Sequence, residues 1–328
     1  MTALLQESER AGGEATRTVV LPPTRARKPH LQRHTLFAYA LMAPALVMFV
    51  VVFIIPIIYS GWLSMQGRGE STGGAFAPRE ETFVGLANYV SVFADDTFWV
   101  SLGHLGIYSA IMVPLLMGTS ILFALLLDLP RAKAKSFSRT AIFLPYGVPS
   151  VIAALMWGFL YVPDISPVYQ LASGLGVELP NLLSGDWVYI GIVNVVLWGG
   201  IGFNTVIIYT ALQSLDRSQI DAARIDGCGE GRIAWYIKLP HVVPATIVTG
   251  LFSVIGALQI YSEPAMLSTL TNAIDSTFFP LMRVYRDAFA HDDLNSAAAA
   301  SIVLAIGTVL LSLLVLGGRQ LVTRKVTR

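Results

Sequence analysis

Asp221 to Pro240 reads D-A-A-R-I-D-G-C-G-E-G-R-I-A-W-Y-I-K-L-P, a polar island between two long apolar segments. Asp216, with Gln219 three residues on, is a helix-start signature: an acceptor side chain and a partner one turn later. Ala222 and Ala223 are good helix formers. Gly227 is a natural stop, because only glycine enters a left-handed cap without steric cost. A second short helix is expected from Glu230 to Lys238, with Leu239 and Pro240 leading into the next apolar run. The segment therefore reads as helix, glycine break and helix, placed where a membrane segment meets water. Gly227 and the nearby Gly229 and Gly231 do not make a phosphate loop. The Lys-Ser/Thr pair and the preceding strand are missing. Gly199, Gly200 and Gly202 fail the same test, lying in the middle of an apolar run.

Working outward from the island, six apolar runs are long enough to cross a bilayer core, which takes about twenty helical residues. They cover 36–63, 102–127, 140–162, 187–212, 242–262 and 296–318, and none contains Asp, Glu, Lys or Arg. The whole chain of 328 residues is 54% hydrophobic and 13% charged, with mean hydropathy +0.63. Soluble domains carry about 25% charged residues, so this composition belongs to lipid. The single cysteine, Cys228, excludes an internal disulfide. The five histidines lack metal-ligand spacing, and no catalytic constellation is present. Prolines 44, 56, 114, 145, 149 and 244 lie inside the runs and imply kinks.

The basic residues are sorted by connection. Eighteen of the 22 lie in the N-terminal tail, in 131–139, in the island (with Arg217) or after residue 318. The alternate connections hold Arg68, Arg79, Arg283 and Arg286 among acids such as Glu80, Glu81, Asp95 and Asp96. The positive-inside rule then puts both termini and the island in the cytoplasm. Residues 1–34 are expected as a disordered cytoplasmic tail. Residues 35–95 are expected as a first transmembrane helix with an external loop. A transmembrane domain at 96–320 would carry the cytoplasmic loop 214–240, and 321–328 would form a C-terminal tail.

The island resembles the signature loop of bacterial ABC-importer permeases, E-A-A-x-x-D-G-A followed by an aromatic and then I-x-L-P. Asp221 stands for the Glu; Ala222, Ala223, Asp226 and Gly227 match; Cys228 replaces the last Ala; Ile237, Leu239 and Pro240 close the motif. Phe83-Val-Gly-Leu-Ala-Asn-Tyr89 with Phe98-Trp99, and Arg139-Thr-Ala-Ile-Phe-Leu-Pro145, are similar to further stretches of the carbohydrate-uptake, maltose-type branch. The Gly-Gly-Pro run such permeases often carry after the fifth helix is absent from 269–275.

The resemblance implies an all-α membrane protein: six transmembrane helices with a type I ABC-importer permease (MetI-like) core in the bacterial inner membrane. It implies a second homologous permease subunit, two ABC ATPase subunits, an extracytoplasmic solute-binding protein and a sugar, with no nucleic acid. This chain would hold no cofactor or metal, ATP and Mg²⁺ acting in the ATPase subunits. Asp221, Ala222, Ala223, Arg224, Asp226 and Gly227 would couple to the ATPase. By offset from the loop, Gly200, Phe203, Asn204, Ser253 and Ala257 would lie on the substrate path. These small and polar residues fall on single helix faces, which equally suits helix packing. Gln259, Glu263 and Asn194 project off those faces. Two rivals remain open. A glycerol-phosphate or polyol importer of the same architecture would favour cations near the cavity, and no Lys or Arg lies in any run. An ion-coupled secondary transporter would carry membrane-embedded ionisable residues.

Overall fold

The computed structural model describes residues 31–68 and 81–326. The chain divides into two units, 1–56 and 57–328. In the first, α1 (Leu31–Phe49) runs into a π-helical turn at Val50–Ile54, with exposed apolar side chains such as Leu41 and Phe53. Residues 1–30 of the expected tail lie outside the described residues, and α1 already includes 31–34.

The second unit takes up helix α2 (Ile55–Leu63) at residue 57. A short antiparallel pair follows, β1 (Gln66–Arg68) with β2 (Glu81–Phe83), in register Gln66 to Phe83. The motif residues after β2 hold this corner. Gly85 takes φ +61°, Asn88 Nδ2 donates to the carbonyls of Ser64 (2.8 Å) and Gln66 (2.7 Å), and the Tyr89 hydroxyl bonds Ser64 Oγ at 2.6 Å. Next come α3 (Ala87–Ala94) and α4 (Asp96–Asp128), which starts on Asp95, whose carboxylate accepts from the Thr97 amide.

Among the described residues five helices are long and apolar enough to cross a membrane. A sixth crossing is bent. α5 (Lys135–Phe143) with a 3₁₀ turn at Leu144–Gly147 meets α6 (Ser150–Tyr161) at 97°. The apolar run 140–162 is therefore not one straight span. Val148 is extended (φ −84°, ψ 124°) because the ring of Pro149 disfavours helical backbone before it, and Pro149 offers no N–H to continue the ladder.

α7 (Pro167–Gly174) precedes α8 (Trp187–Gln213). Then come α9 (Arg217–Ile225), α10 (Glu230–Ile233), a π turn at Ala234–Lys238, α11 (Leu239–Leu258) and α12 (Ser262–Leu267). α13 (Pro280–Tyr285), a π turn at Arg286–Ala290 and α14 (Leu294–Val326) complete the chain. α14 carries helix through 321–326, where a separate tail is expected from sequence.

The core is built on α4 and α8, the most extensive helix pair. α4 buries Phe98, Ser101, Leu105, Tyr108, Met112, Leu116, Ser120, Ala124 and Leu127, one stripe at helical spacing. Ser120 and Thr205 bond across the pair: Ser120 Oγ donates to the Ile201 carbonyl (3.3 Å) and Thr205 Oγ1 to that of Ser120 (3.4 Å). Such small hydroxyl residues let membrane helices approach closely.

Gly202 is the tightest contact. A Cβ there would lie 2.2 Å from the Ile142 carbonyl oxygen and 2.8 Å from Phe143 Cα, both backbone atoms that cannot step aside. Gly202→Ala is expected to cost about 3 kcal/mol, the upper end of ordinary overpacking. Thermal melts of the purified protein in detergent should show it; a melt unchanged from wild type would mean that α8 and the bent span are not in contact there.

At the end of α4 away from the 214–238 loop, a buried ionic cluster ties α13 to α4. Arg283, 6% exposed, reaches Asp95 at 2.6 Å and Asp287 at 3.4 Å, while Arg286 pairs with Asp287 at 2.7 Å. Burial pushes the Asp95 carboxyl up, but the Thr97 hydroxyl and amide with the Arg283 and Arg286 charges outweigh it, so it lies below its usual range.

Candidate functional site

The signature loop folds as a helix, a glycine break and a helix. Asp216 caps α9 by accepting from the Ser218 amide at 2.9 Å, not through a partner at Gln219 as expected. That amide, and then the Ser218 hydroxyl, hold its carboxyl below the ordinary range. α9 ends in a Schellman motif: Gly227 at φ +80°, its N–H on the Arg224 carbonyl (3.0 Å) and the Cys228 N–H on that of Ala223 (2.9 Å). Beyond its two chain neighbours no atom of the described residues lies within 4 Å of where a Gly227 Cβ would sit, so backbone conformation alone demands glycine there.

Arg224 braces the break. Its guanidinium takes Asp221 Oδ1 at 3.1 Å within α9, and Glu230 Oε1 at 2.9 Å from the first turn of α10. Asp221, Ala222, Asp226 and Gly227 are exposed and Ala223 is half-buried. The loop also presents apolar side chains to the surroundings: Ile225 is 86% exposed, and Trp235 and Tyr236 are also out.

Both roots of the loop are gripped by one carboxylate. Asp128, the last residue of α4, pairs with the buried Lys238 at 2.6 Å and accepts from Gln213 Nε2 at 3.1 Å. Gln213 ends α8 just before the loop, and Lys238 closes it on the way into α11. A second tie lies beside the first. His241 Nε2 sits 3.1 Å from Ser214 Oγ and 3.2 Å from the Ala211 carbonyl. A polar hollow of 280 Å³ opens under the loop between Asp128, Lys135, Gln213, Arg217 and Arg224.

Further along α4 lies a second, larger cavity of 510 Å³. Tyr108, Met112 and Leu116 line it from α4; Val196, Gly200, Phe203 and Asn204 from α8; Phe252, Ser253 and Gly256 from α11. Gly200, Phe203, Asn204 and Ser253 are thus brought together as the sequence suggests. Ala257 is not among the lining residues; it is 1% exposed within the core. Asn204 and Ser253 spend one donor each on their own helices, Asn204 Nδ2 on the Gly200 carbonyl (3.0 Å) and Ser253 Oγ on that of Thr249 (2.9 Å). Their oxygens remain acceptors.

Two helix breaks add residues that the helical projection misses. Tyr146, from the 3₁₀ turn of the bent span, stacks on Phe203 with centroids 4.9 Å apart at 16°, and Ser150 follows it at the rim. α11 ends at Leu258, and Tyr261 (φ −147°, ψ −54°) redirects the chain before α12. That turn brings Gln259, Tyr261, Ser262 and Glu263 to the cavity wall, correcting the expectation that Gln259 and Glu263 project away from it. The Pro145/Pro149 pair signals the first break. Among the residues at the second, nothing in the apolar pattern does. Asn194 stays out of the cavity, donating to the Tyr161 hydroxyl at 2.7 Å.

Comparison with known proteins matches residues 120–328 to the family model described as binding-protein-dependent transport system inner membrane component. The chain is 29% identical over 292 residues to the probable ABC transporter permease protein YurN of Bacillus subtilis, covering 87% of this chain and 96% of that one. It is 29% identical over 280 residues to the sn-glycerol-3-phosphate transport system permease protein UgpA of Escherichia coli O157:H7, covering 84% and 91%. A solved bacterial ABC transporter involved in import of the acidic polysaccharide alginate shares the fold, with TM-score 0.73 at 19% identity, over 90% of this chain and 98% of that one. A bacterial alginate ABC transporter in complex with alginate pentasaccharide-bound periplasmic protein gives the same TM-score, at 19% identity, over 86% and 93%.

Proposed function

Since this chain belongs to the family of binding-protein-dependent transport system inner membrane components, as an ABC-importer permease, we propose that it carries a sugar, a di- or oligosaccharide, by ATP-driven alternating access. It works beside a second permease subunit and two ATPase subunits, which bind the ATP and Mg²⁺. The loop around Asp221–Gly227 and both termini face the cytoplasm, in keeping with the distribution of Lys and Arg. Closure of the ATPase pair draws the loop inward, the two permease bundles rock, and the cavity opens to the solute-binding protein; hydrolysis resets it.

One observation carries this reading: α4 joins the loop to the cavity. Its last residue, Asp128, holds both loop roots, and its Tyr108, Met112 and Leu116 line the cavity. From Leu116 to Asp128 is about 18 Å of continuous helix, so a displacement of the loop reaches the cavity without a flexible joint. The exposed Ile225, Trp235 and Tyr236 give the loop an apolar seat for a partner surface. The Tyr146–Phe203 stack, flanked by Ser, Asn and Gln side chains, suits the C–H faces and hydroxyls of a sugar.

A second reading, glycerol phosphate or a polyol in the same architecture, has the relatives named for sn-glycerol-3-phosphate in its favour. Family membership replaces the ion-coupled alternative. The test is ATPase activity of the reconstituted complex with its binding protein across a panel of sugars and glycerol phosphate. Stimulation by a di- or oligosaccharide is expected. Stimulation by glycerol phosphate alone, or uptake without ATP, overturns the proposal.

A further inference from the structure

We propose that Glu263 makes the solute cavity reject anions, so that this permease passes uncharged polyhydroxylated solutes and excludes sugar phosphates and uronates. The inference rests on the reading of the 510 Å³ cavity as the translocation site. Among the described residues its lining contains no Lys, Arg or His and one carboxylate, Glu263. That side chain sits in the first turn of α12, at the break in the membrane helix, with Gln259 and Ser262 beside it. It has no salt bridge among the described residues.

The cations nearest in sequence are committed elsewhere. Arg283 and Arg286 hold Asp95 and Asp287, and Lys238 holds Asp128. An anionic solute drawn into the cavity would thus leave its hydration shell, meet a carboxylate and find no counter-charge on this wall. Repulsion between like charges is strengthened where water is thin. Rejection by an unfavourable charge is a standard route to specificity, because attraction alone separates similar solutes poorly. For a neutral solute the same carboxylate is an asset. It accepts hydrogen bonds from hydroxyl groups at two oxygens, next to the Gln259 amide, which can both donate and accept. Helix breaks in membrane transporters are where polar groups become available to solutes.

The test uses the complete purified complex, both permease subunits and both ATPases, in nanodiscs. Binding of three probes of one skeleton is measured by ligand-observed NMR: methyl glucoside (neutral), methyl glucuronide (anionic) and methyl glucosaminide (cationic). Wild type is expected to bind the glucoside at least tenfold more tightly than the glucuronide, with the glucosaminide at least as tight as the glucoside. Glu263→Gln keeps the shape and a hydrogen-bonding head but removes the charge. It should shrink the glucoside-to-glucuronide ratio to under threefold by improving glucuronide binding, and Glu263→Asp should restore discrimination.

Equal binding of glucoside and glucuronide to wild type, or a ratio unchanged in Glu263→Gln, overturns the charge assignment and leaves the cavity reading standing. Glucosaminide bound more weakly than glucuronide also overturns it, because a carboxylate that repels an anion must favour the cation. Gly200→Phe, which fills the cavity from α8, should abolish binding of all three probes. Binding that survives this change overturns the cavity reading itself, as does failure of wild type to bind any probe.

Discussion

Uptake by a complex carrying Gly227→Val in this chain is expected to fall at least 100-fold, while the chain still inserts and co-purifies with its partners. The separation of the two effects follows from the geometry. Gly227 lies at φ +80°, where a β-branched residue is strained by roughly 1–2 kcal/mol. Yet beyond its two chain neighbours no atom of the described residues stands within 4 Å of the added Cβ, so the bundle meets no collision. What the strain disturbs is the Schellman closure through the Gly227 and Cys228 amides, and with it the angle between α9 and α10 that Arg224 braces. A loop with the wrong angle no longer seats on its ATPase. Asn, which tolerates left-handed backbone better than other side chains, should retain a substantial part of the uptake when placed at 227. Full activity in the valine variant would remove the loop from the coupling path, and loss of insertion would mean that the glycine serves folding instead.

Lys238→Met is expected to destabilise the chain by about 3–5 kcal/mol, the range for removing one partner of a buried ion pair. The lysine is 1% exposed and its ammonium meets Asp128 at 2.6 Å, so methionine leaves that carboxylate with Gln213 as its remaining side-chain partner. The double variant Lys238→Met with Asp128→Leu should recover at least half of the lost stability, since replacing both charges by apolar groups is often neutral. Recovery of stability should not bring back coupling. The loop roots would lose their shared anchor, and the ATPase of the reconstituted complex should no longer respond to loaded binding protein. Denaturant midpoints for the three variants, with ATPase stimulation measured alongside, check both parts. A single variant as stable as wild type, or a double variant with normal stimulation, would show that the pair neither holds nor transmits.

These two sites mark how far the residues alone could be read. The glycine stop, the first short helix and most of the apolar spans are local properties, set by propensity and hydropathy over a dozen or so residues, and the structure has them where the sequence puts them. The second short helix instead runs through a π turn into α11, and the 140–162 and 242–262 runs are broken. The Lys238–Asp128 pair joins positions 110 residues apart through folding, and nothing in their spacing announces it. α4 is apolar on every side, so the pattern could not say that Tyr108, Met112 and Leu116 face inward. The bend at Val148 was hidden for a related reason. Hydropathy counts side chains and is blind to the direction of the backbone, though the Pro145 and Pro149 rings were in plain view. Glu263 shows the cost of projecting residues onto an unbroken helix: once the chain turns at Tyr261, the angular bookkeeping restarts.

Because Gln213 and Lys238 meet on the same carboxylate, the segment between them is a closed ring whose ends stay together whatever its interior does. Such a ring is a module. A counterpart from another transporter could be spliced between these two positions, changing which motor the permease obeys without touching what it lets through.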